Sequence, residues 1–426
     1  MSKRISRRSF LTHSALAGSA LAAPFVITRP GWSQTGPVKF GMVEARSGPN
    51  KYVGDARIDT ATFVVERVNA AGGLLGRKVE MLVVDSEFKP DVASRRAGEL
   101  LIGEKIDLIT AFGGAVAKVV AQAAFQQNKL FVSTSTLPSE MTGAEFLPTT
   151  FSCAFNSEML SRSAAAYIAK ANLSKVYILC QDYASGRSAG ETFKMRFNSI
   201  KRADQAIVGE EYHPTFRLTD FAPYITKVMA SGADTVMTAN FGPDLRLLLQ
   251  QGHQLGWKIN AVGFYLNDPT LTSAIGDAAI GHVTTGINMI TLDTQQNKEL
   301  TKLWQARFPN ATLFSKVPDL AVGQALSGFM WMLDVVKKAG SLDTETLIKT
   351  WEGDKFQALW GEAEMRACDH QVQSGCGVAE IVAPKDIPID MRFYGDAFPY
   401  IGPATVIPRE MVSVPLAETR NKRCTA

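Results

Sequence analysis

Val38-Lys39-Phe40-Gly41-Met42-Val43 is a short apolar, partly β-branched run, and the helical pattern after it decides the fold. Ile58, Ala61, Thr62, Val65 and Val68 fall on one face at helical spacing, and Asn69-Ala70-Ala71-Gly72-Gly73 ends that helix with residues suited to a C-cap. A second strand is predicted at Val79 to Val84, then a helix over Val92 to Ile102, a strand at Ile106 to Phe112, a helix over Ala117 to Gln126 and a strand at Leu130 to Ser133. Strands alternating with helices build a parallel sheet, so the class is α/β. After Cys153 the cycle restarts. Helices over Met159 to Ala171, Ala189 to Ile200, Phe221 to Ser231 and Leu245 to Leu255 are interleaved with strands at Val176 to Cys180, Thr235 to Ala239 and Ala261 to Phe264, which predicts a second α/β lobe. Further helices are expected over Lys298 to Phe308 and Val322 to Ala339. From Pro384 periodicity is lost, and the tail is expected to pack irregularly over the surface.

The chain of 426 residues, 46% hydrophobic and 20% charged, is long enough for two domains. Its 45 Lys and Arg against 41 Asp and Glu are dispersed, which gives no footprint for nucleic acid. The N-terminus differs in character. Lys3, Arg4, Arg7 and Arg8 precede an uncharged run from Phe10 to Val26, too short and too rich in Ala, Ser and Gly to span a membrane. Ser6-Arg7-Arg8-Ser9-Phe10-Leu11 has the form of a twin-arginine signal, so residues 1–34 are expected to be a cleaved export segment, cut after Ala20-Leu21-Ala22 or as late as Gln34. Five cysteines are too few and too scattered for a disulfide scaffold. Cys368 and Cys376, separated by turn-forming residues, either close a small loop or remain two thiols.

The chemistry-bearing residues do not assemble into a catalytic or metal constellation. The histidines are isolated, no His pair stands at i and i+4, and no nucleophile elbow or phosphate loop occurs, so no enzyme activity, metal or cofactor is expected. Two loops read as binding apparatus, because ligands of open parallel sheets sit beyond the carboxyl ends of the strands. Phe112-Gly113-Gly114-Ala115 lets backbone amides approach a ligand or makes a tight turn. Ser133-Thr134-Ser135-Thr136-Leu137-Pro138 places four hydroxyls at a strand end, to cap a helix or to hold a carboxylate.

Further segments occur in a shared order: Ser47-Gly48-Pro49 with Gly54, Val68 to Gly73 with Gly76, Val84-Asp85 with Pro90, and Ser139-Glu140-Met141-Thr142. Asp182-Tyr183 with Gly186, Asp220-Phe221, Gly232-Ala233-Asp234 and Asn240-Phe241-Gly242-Pro243-Asp244 continue it. From Val38 to Val382 the chain resembles the periplasmic leucine/isoleucine/valine-binding protein family, the branched-chain amino acid type of ABC solute receptor. The resemblance implies a type I periplasmic binding protein: two doubly wound parallel-sheet lobes joined by a three-strand hinge. Lobe 1 would comprise residues 38–153 and 288–365, and lobe 2 residues 154–287 and 366–426 with the tail. It also implies a periplasmic monomer that hands a small molecule to an ABC permease in the inner membrane. The alternative is a ligand sensor of the same fold that feeds a signalling receptor or regulator.

Carried over by position, the resemblance assigns ligand contacts to Gly113, Gly114, Ser135 and Thr136 in the first lobe and to Tyr183, Phe241 and Tyr265 in the second, with Tyr52 as an aromatic lid. The family places a carboxylate for the ligand ammonium about where Tyr265 stands. Losing it leaves a buried α-ammonium unpaired, which disfavours a standard amino acid. The aromatic side chains instead suit an aromatic or other organic acid, or an amide.

Overall fold

The computed structural model describes residues 36–425, so the predicted export segment, residues 1–34, lies outside the described residues. The first sheet is wholly parallel. Its strands are β1 (Val38–Glu44), β2 (Val79–Asp85), β3 (Leu108–Ala111), β4 (Leu130–Ser133) and β5 (Thr150–Ser152), arranged β2-β1-β3-β4-β5. β3, β4 and β5 are buried throughout, as a sheet covered on both faces requires. The covering helices from this part of the chain are α1 (Lys51–Ala70), α2 (Pro90–Gly98) and α3 (Gly114–Gln126).

The second sheet repeats this winding. α4 (Ser157–Lys170) leads to β6 (Lys175–Gln181), α5 (Ala184–Ile200), β7 (Ala206–His213), α6 (Ala222–Ala230) and β8 (Thr235–Met237). α7 (Gly242–Gln254), β9 (Asn260–Gly263), α8 (Pro269–Ile275) and β10 (Val283–Gly286) complete the parallel part. The order β7-β6-β8-β9-β10 matches β2-β1-β3-β4-β5 strand for strand. The expected α/β fold of two doubly wound parallel-sheet lobes is therefore the one observed.

The chain then returns to the first sheet. α9 (Gln295–Arg307) and α10 (Leu320–Ala339) pack on the first unit, with Trp304 against Phe63 at 5.6 Å between ring centroids and Phe329 against Phe40 at 5.5 Å. α10 begins at Asp319, whose side chain accepts from the Leu320 N–H, and ends at the left-handed Gly340. After α11 (Thr344–Trp351) comes a small antiparallel sheet of β11 (Lys355–Ala358), β12 (Gly361–Met365) and β13 (Val372–Gln373). β14 (Cys376–Val382) then joins the second sheet antiparallel to β10. Where the chain leaves the first sheet and where it comes back, two segments run side by side: the Ser152 N–H donates to His370 O at 2.8 Å, and Gln371 Nε2 to Ala154 O at 2.7 Å.

The tail runs mostly as loops and single turns but carries two short strands: β15 (Tyr400–Ile401) and β16 (Thr405–Ile407) pair with β14, and Asn421 Nδ2 donates to Thr142 O at 3.0 Å. Sequence periodicity fails there because these strands are two and three residues long. One reading needs correction: neither alternative for Cys368 and Cys376, a bridge between them or two free thiols, is what the structure shows. Cys368 bonds Cys424, brought back by the tail, while Cys376 is a buried free thiol inside β14. A strand that must pair with β10 carries Cys376 away from the turn that holds Cys368.

Candidate functional site

Helix starts divide into two groups. α4, α8, α9, α10 and α11 each have a side-chain cap, from Asn156, Asp268, Thr294, Asp319 and Asp343. α1, α2, α3, α5 and α7 have none, and all five follow strands of the two parallel sheets at their carboxyl ends. α6, also without a cap at its boundary residue, receives the Asp220 carboxylate on the Ala222 N–H at 2.9 Å. First-turn N–H groups have no partner within the helix and carry the positive end of its dipole. Helix starts of this kind at strand ends are places where backbone N–H groups can meet an anion, although at α1 the Lys51 and Val53 N–H groups already donate to Gly48 O and Asn50 O.

The first lobe contributes backbone and hydroxyls. Gly113 is the residue before α3, at φ +95°, and a Cβ there would stand 2.5 Å from the Phe88 ring. Glycine is required on both counts. Gly114 opens α3 and faces Pro138. Ser135 is buried, and its hydroxyl has no hydrogen-bond partner among the described residues. Thr136 lies near the Tyr265 phenol of the other lobe. Leu137 is core. Beneath these loops lies a buried ion pair. Arg57 donates through Nε to Glu44 at 3.0 Å, and its third nitrogen donates to Thr134 Oγ1 at 2.9 Å, which fixes the hydroxyl loop from below. Its guanidinium also lies 5.5 Å from the Phe112 ring centroid. Burial holds the Glu44 carboxyl above its usual range, and Arg57 opposes that rise.

The second lobe contributes rings. Tyr183, Phe241 and Tyr265 are brought together, with Phe241 6.2 Å from Tyr183 and 5.8 Å from Tyr265 in edge-to-face geometry. Burial raises the pKa of both phenols, so they stay neutral donors; for Tyr265 the nearby Thr136 opposes the rise. Beneath Phe241 the support is amide and carboxylate rather than an Arg–Glu pair. Gln181 Nε2 donates to Asp244 Oδ2 at 2.7 Å, the same oxygen accepts the Phe216 N–H at 2.9 Å, and Asn240 Nδ2 meets His213 Nε2 at 2.8 Å.

Tyr52 is not part of that cluster. It is 42% exposed on α1, edge-on to Phe314 at 4.9 Å. Burial pushes its phenol up to about 12, and the neighbouring Asp268 carboxylate adds to the rise. Asp268 is the acid of the loop after β9, three residues beyond Tyr265. Its Oδ1 accepts from the Thr270 N–H at 2.8 Å, the Thr270 hydroxyl at 2.6 Å and the Leu271 N–H at 3.4 Å, so it caps α8. A cavity of about 340 Å³ opens between Ser139, Glu140, Glu158, Arg187, Glu191 and Arg420, and none of the eight predicted site residues lines it.

Known proteins share this winding. A family model described as periplasmic binding protein matches residues 37–386. The chain belongs to the periplasmic binding protein family. Among curated relatives of this periplasmic binding protein, the Leu/Ile/Val-binding protein homolog 4 of Brucella melitensis is 23% identical over 392 residues, 89% of this chain and 92% of that protein. Among solved structures, the closed form of the leucine-, isoleucine-, valine-, threonine- and alanine-binding protein of Brucella ovis superposes with a TM-score of 0.80 at 21% identity, covering 89% of this chain and 97% of that one. A solute-binding protein of an ABC transporter from Rhodopseudomonas palustris, in complex with 3,4-dihydroxybenzoic acid, superposes with a TM-score of 0.75 at 21% identity, covering 88% and 98%. At this identity the two structures speak for the fold of the periplasmic binding protein, which they share over nearly their whole length.

Sequence reasoning missed Phe88, Phe216 and Asp268. Phe88 and Phe216 sit in turns at φ +55°, a conformation with no signature in an aromatic residue. Asp268 precedes Pro269 at a helix start, and that Asp-Pro pair was the available signal.

Proposed function

We propose that this protein is the periplasmic receptor of an ABC uptake transporter, and that it captures a small aromatic or other organic acid between its lobes and changes it in no way. In this reading residues 38–153 with 288–365 form one lobe and residues 154–287 with 366–426 the other. The three crossings act as a hinge, and the predicted twin-arginine segment directs export. The observation that carries the proposal is the set of uncapped helix starts at the strand ends of both sheets, with the unpartnered Ser135 hydroxyl beside one of them and the rings of Tyr183, Phe241 and Tyr265 opposite. Bare N–H groups and a hydroxyl hold a carboxylate, and ring faces hold a flat apolar body. Phe241 and Tyr265 each retain partial exposure, as ligand-contacting walls do.

A second reading, an α-amino acid, is favoured by one feature: Asp268 engages its helix through Oδ1 only and stands beside Tyr52, leaving Oδ2 for an ammonium. A thermal-shift screen of protein beginning near residue 35 decides between them. A ligand at a hundredfold excess over its Kd stabilises by about 2.7 kcal/mol. A shift with benzoates and none with leucine supports the acid reading. A shift with leucine or valine, lost in Asp268→Asn, replaces it with the amino-acid reading.

A further inference from the structure

Two aromatic residues hold equivalent places in the two lobes. Phe88 follows β2 and Phe216 follows β7, the strands that occupy the same edge of the two parallel windings. Both have φ +55°, in the left-handed region that side chains other than Gly and Asn avoid. Both are large apolar side chains left open, at 41% and 51% exposure. Each leans over a glycine at the start of a site helix, Gly113 just before α3 and Gly242 at the first position of α7. The Phe88 ring lies where a Gly113 Cβ would be, and the Phe216 ring is 3.6 Å from where a Gly242 Cβ would be. Each touches the aromatic residue preceding that glycine, Phe112 at 5.6 Å and Phe241 at 5.1 Å between ring centroids.

Neither turn is loose. The Phe88 N–H donates to Ser86 Oγ at 3.1 Å and the Glu87 N–H to Asp85 Oδ1 at 2.8 Å, while the Phe216 N–H donates to buried Asp244. A strained backbone held in place to present a half-exposed ring is not explained by core packing, and strain of this kind collects where ligands are clamped.

We infer that Phe88 and Phe216 are ligand-contacting residues, a pair of jaws, one from each lobe, whose rings border the flat body of the ligand and favour a planar ring over a saturated one. The inference rests on the acid-binding reading of the site. Calorimetric titration with benzoate and with cyclohexanecarboxylate tests it, since the two share a carboxylate and ring size and differ in planarity. The variants are Phe88→Asn, Phe216→Asn and the double variant, because Asn tolerates the left-handed turn. Each single variant is expected to lose about three- to tenfold in benzoate affinity. Cyclohexanecarboxylate affinity should change less, and the apo melt should stay level or rise. Unchanged benzoate affinity and an unchanged ratio of the two ligands, with wild type binding benzoate, overturn the jaws and leave the acid reading standing. A lower apo melt with affinity retained also overturns them, assigning both rings to packing. Wild type that binds neither probe overturns the acid reading, and the jaws with it.

Discussion

The two lobes wind alike and present unlike surfaces. Each offers uncapped helix starts, and each has a Phe-Gly pair after its third strand, Phe112-Gly113 and Phe241-Gly242, with the glycine at positive φ. The first lobe then adds hydroxyls, Ser135 and Thr136, over a buried Arg57–Glu44 pair. The second adds Tyr183, Tyr265 and the exposed face of Phe241 over hydrogen bonds among Gln181, Asp244, Asn240 and His213. The shared winding places donors on both sides. On the acid-binding proposal, the difference sets the polar end of a ligand against the first lobe and most of the rings that meet its flat body on the second.

If that division is right, the two supports should differ in what their loss does. Arg57→Ala leaves Glu44 buried and unpaired and frees Thr134, and it is expected to destabilise by about 3–5 kcal/mol. Asp244→Asn keeps an oxygen for the Phe216 N–H and Gln181, and should lower stability by about 1 kcal/mol. Denaturant melts of the two variants check this, and equal losses would erase the contrast between the supports.

A third buried acid sharpens it. Glu44 faces a guanidinium, whereas Asp319 receives only the Leu320 and Ile290 N–H groups and Asn267, near Asp268 and Tyr394, and its Oδ2 has no partner. Burial therefore pushes Asp319 up to about 7 from 3.8. A folded pKa above the unfolded one contributes stability that is complete below about pH 4 and is lost as pH rises through about 7. Asp319→Asn removes that loss, so its melting temperature should gain on wild type from pH 5 to about pH 7 and level off by pH 8, by the equivalent of about 2–3 kcal/mol, the share of the shift that falls above pH 5. A constant difference across that range would place the carboxylate's charge elsewhere.

Most of the winding was legible because apolar periodicity is a local property, but β5, β7, α8 and β10, which were not read from the sequence, are short or only partly apolar. Gly113 stood out as a glycine turn after a strand, whereas Tyr183, Phe241 and Tyr265 came only from the family resemblance, and the structure brings those three rings together. The rest depends on contacts between distant residues. Nothing near Cys368 announces Cys424 rather than Cys376 as its partner, because the choice depends on β14 being drawn into the second sheet. Arg57 reads as one more helical cation until Glu44 and Thr134 surround it. Asp268 escaped notice because the expected acid position was Tyr265, and a displacement of three residues around a loop is invisible without coordinates.

The aromatic half of the comparison predicts a binding effect with little change in stability. Phe241→Ala and Tyr265→Ala each remove a ring from the cluster, and each should weaken binding of an aromatic acid by at least about tenfold. Both side chains are partly exposed, so the apo melt should move little. Titration of each variant beside its apo melt is the check. A large apo loss in both would make the cluster core rather than wall, and the flat body of the ligand would need another place.

The smallest effect separates the paired glycines. Gly113, at φ +95° and ψ 135°, occupies a backbone region open in practice to glycine alone, and an added methyl would meet the Phe88 ring at 2.5 Å. Gly242, at φ +58°, lies in the ordinary left-handed well, with its nearest neighbour at 3.6 Å. Gly113→Ala should therefore cost about 2–3 kcal/mol and displace Phe88, whereas Gly242→Ala should cost about 1 kcal/mol. Paired chemical melts measure the gap. Equal losses would mean that the Phe88 ring yields without resistance, and a first-lobe ring that moves so easily could not hold a ligand against the second lobe.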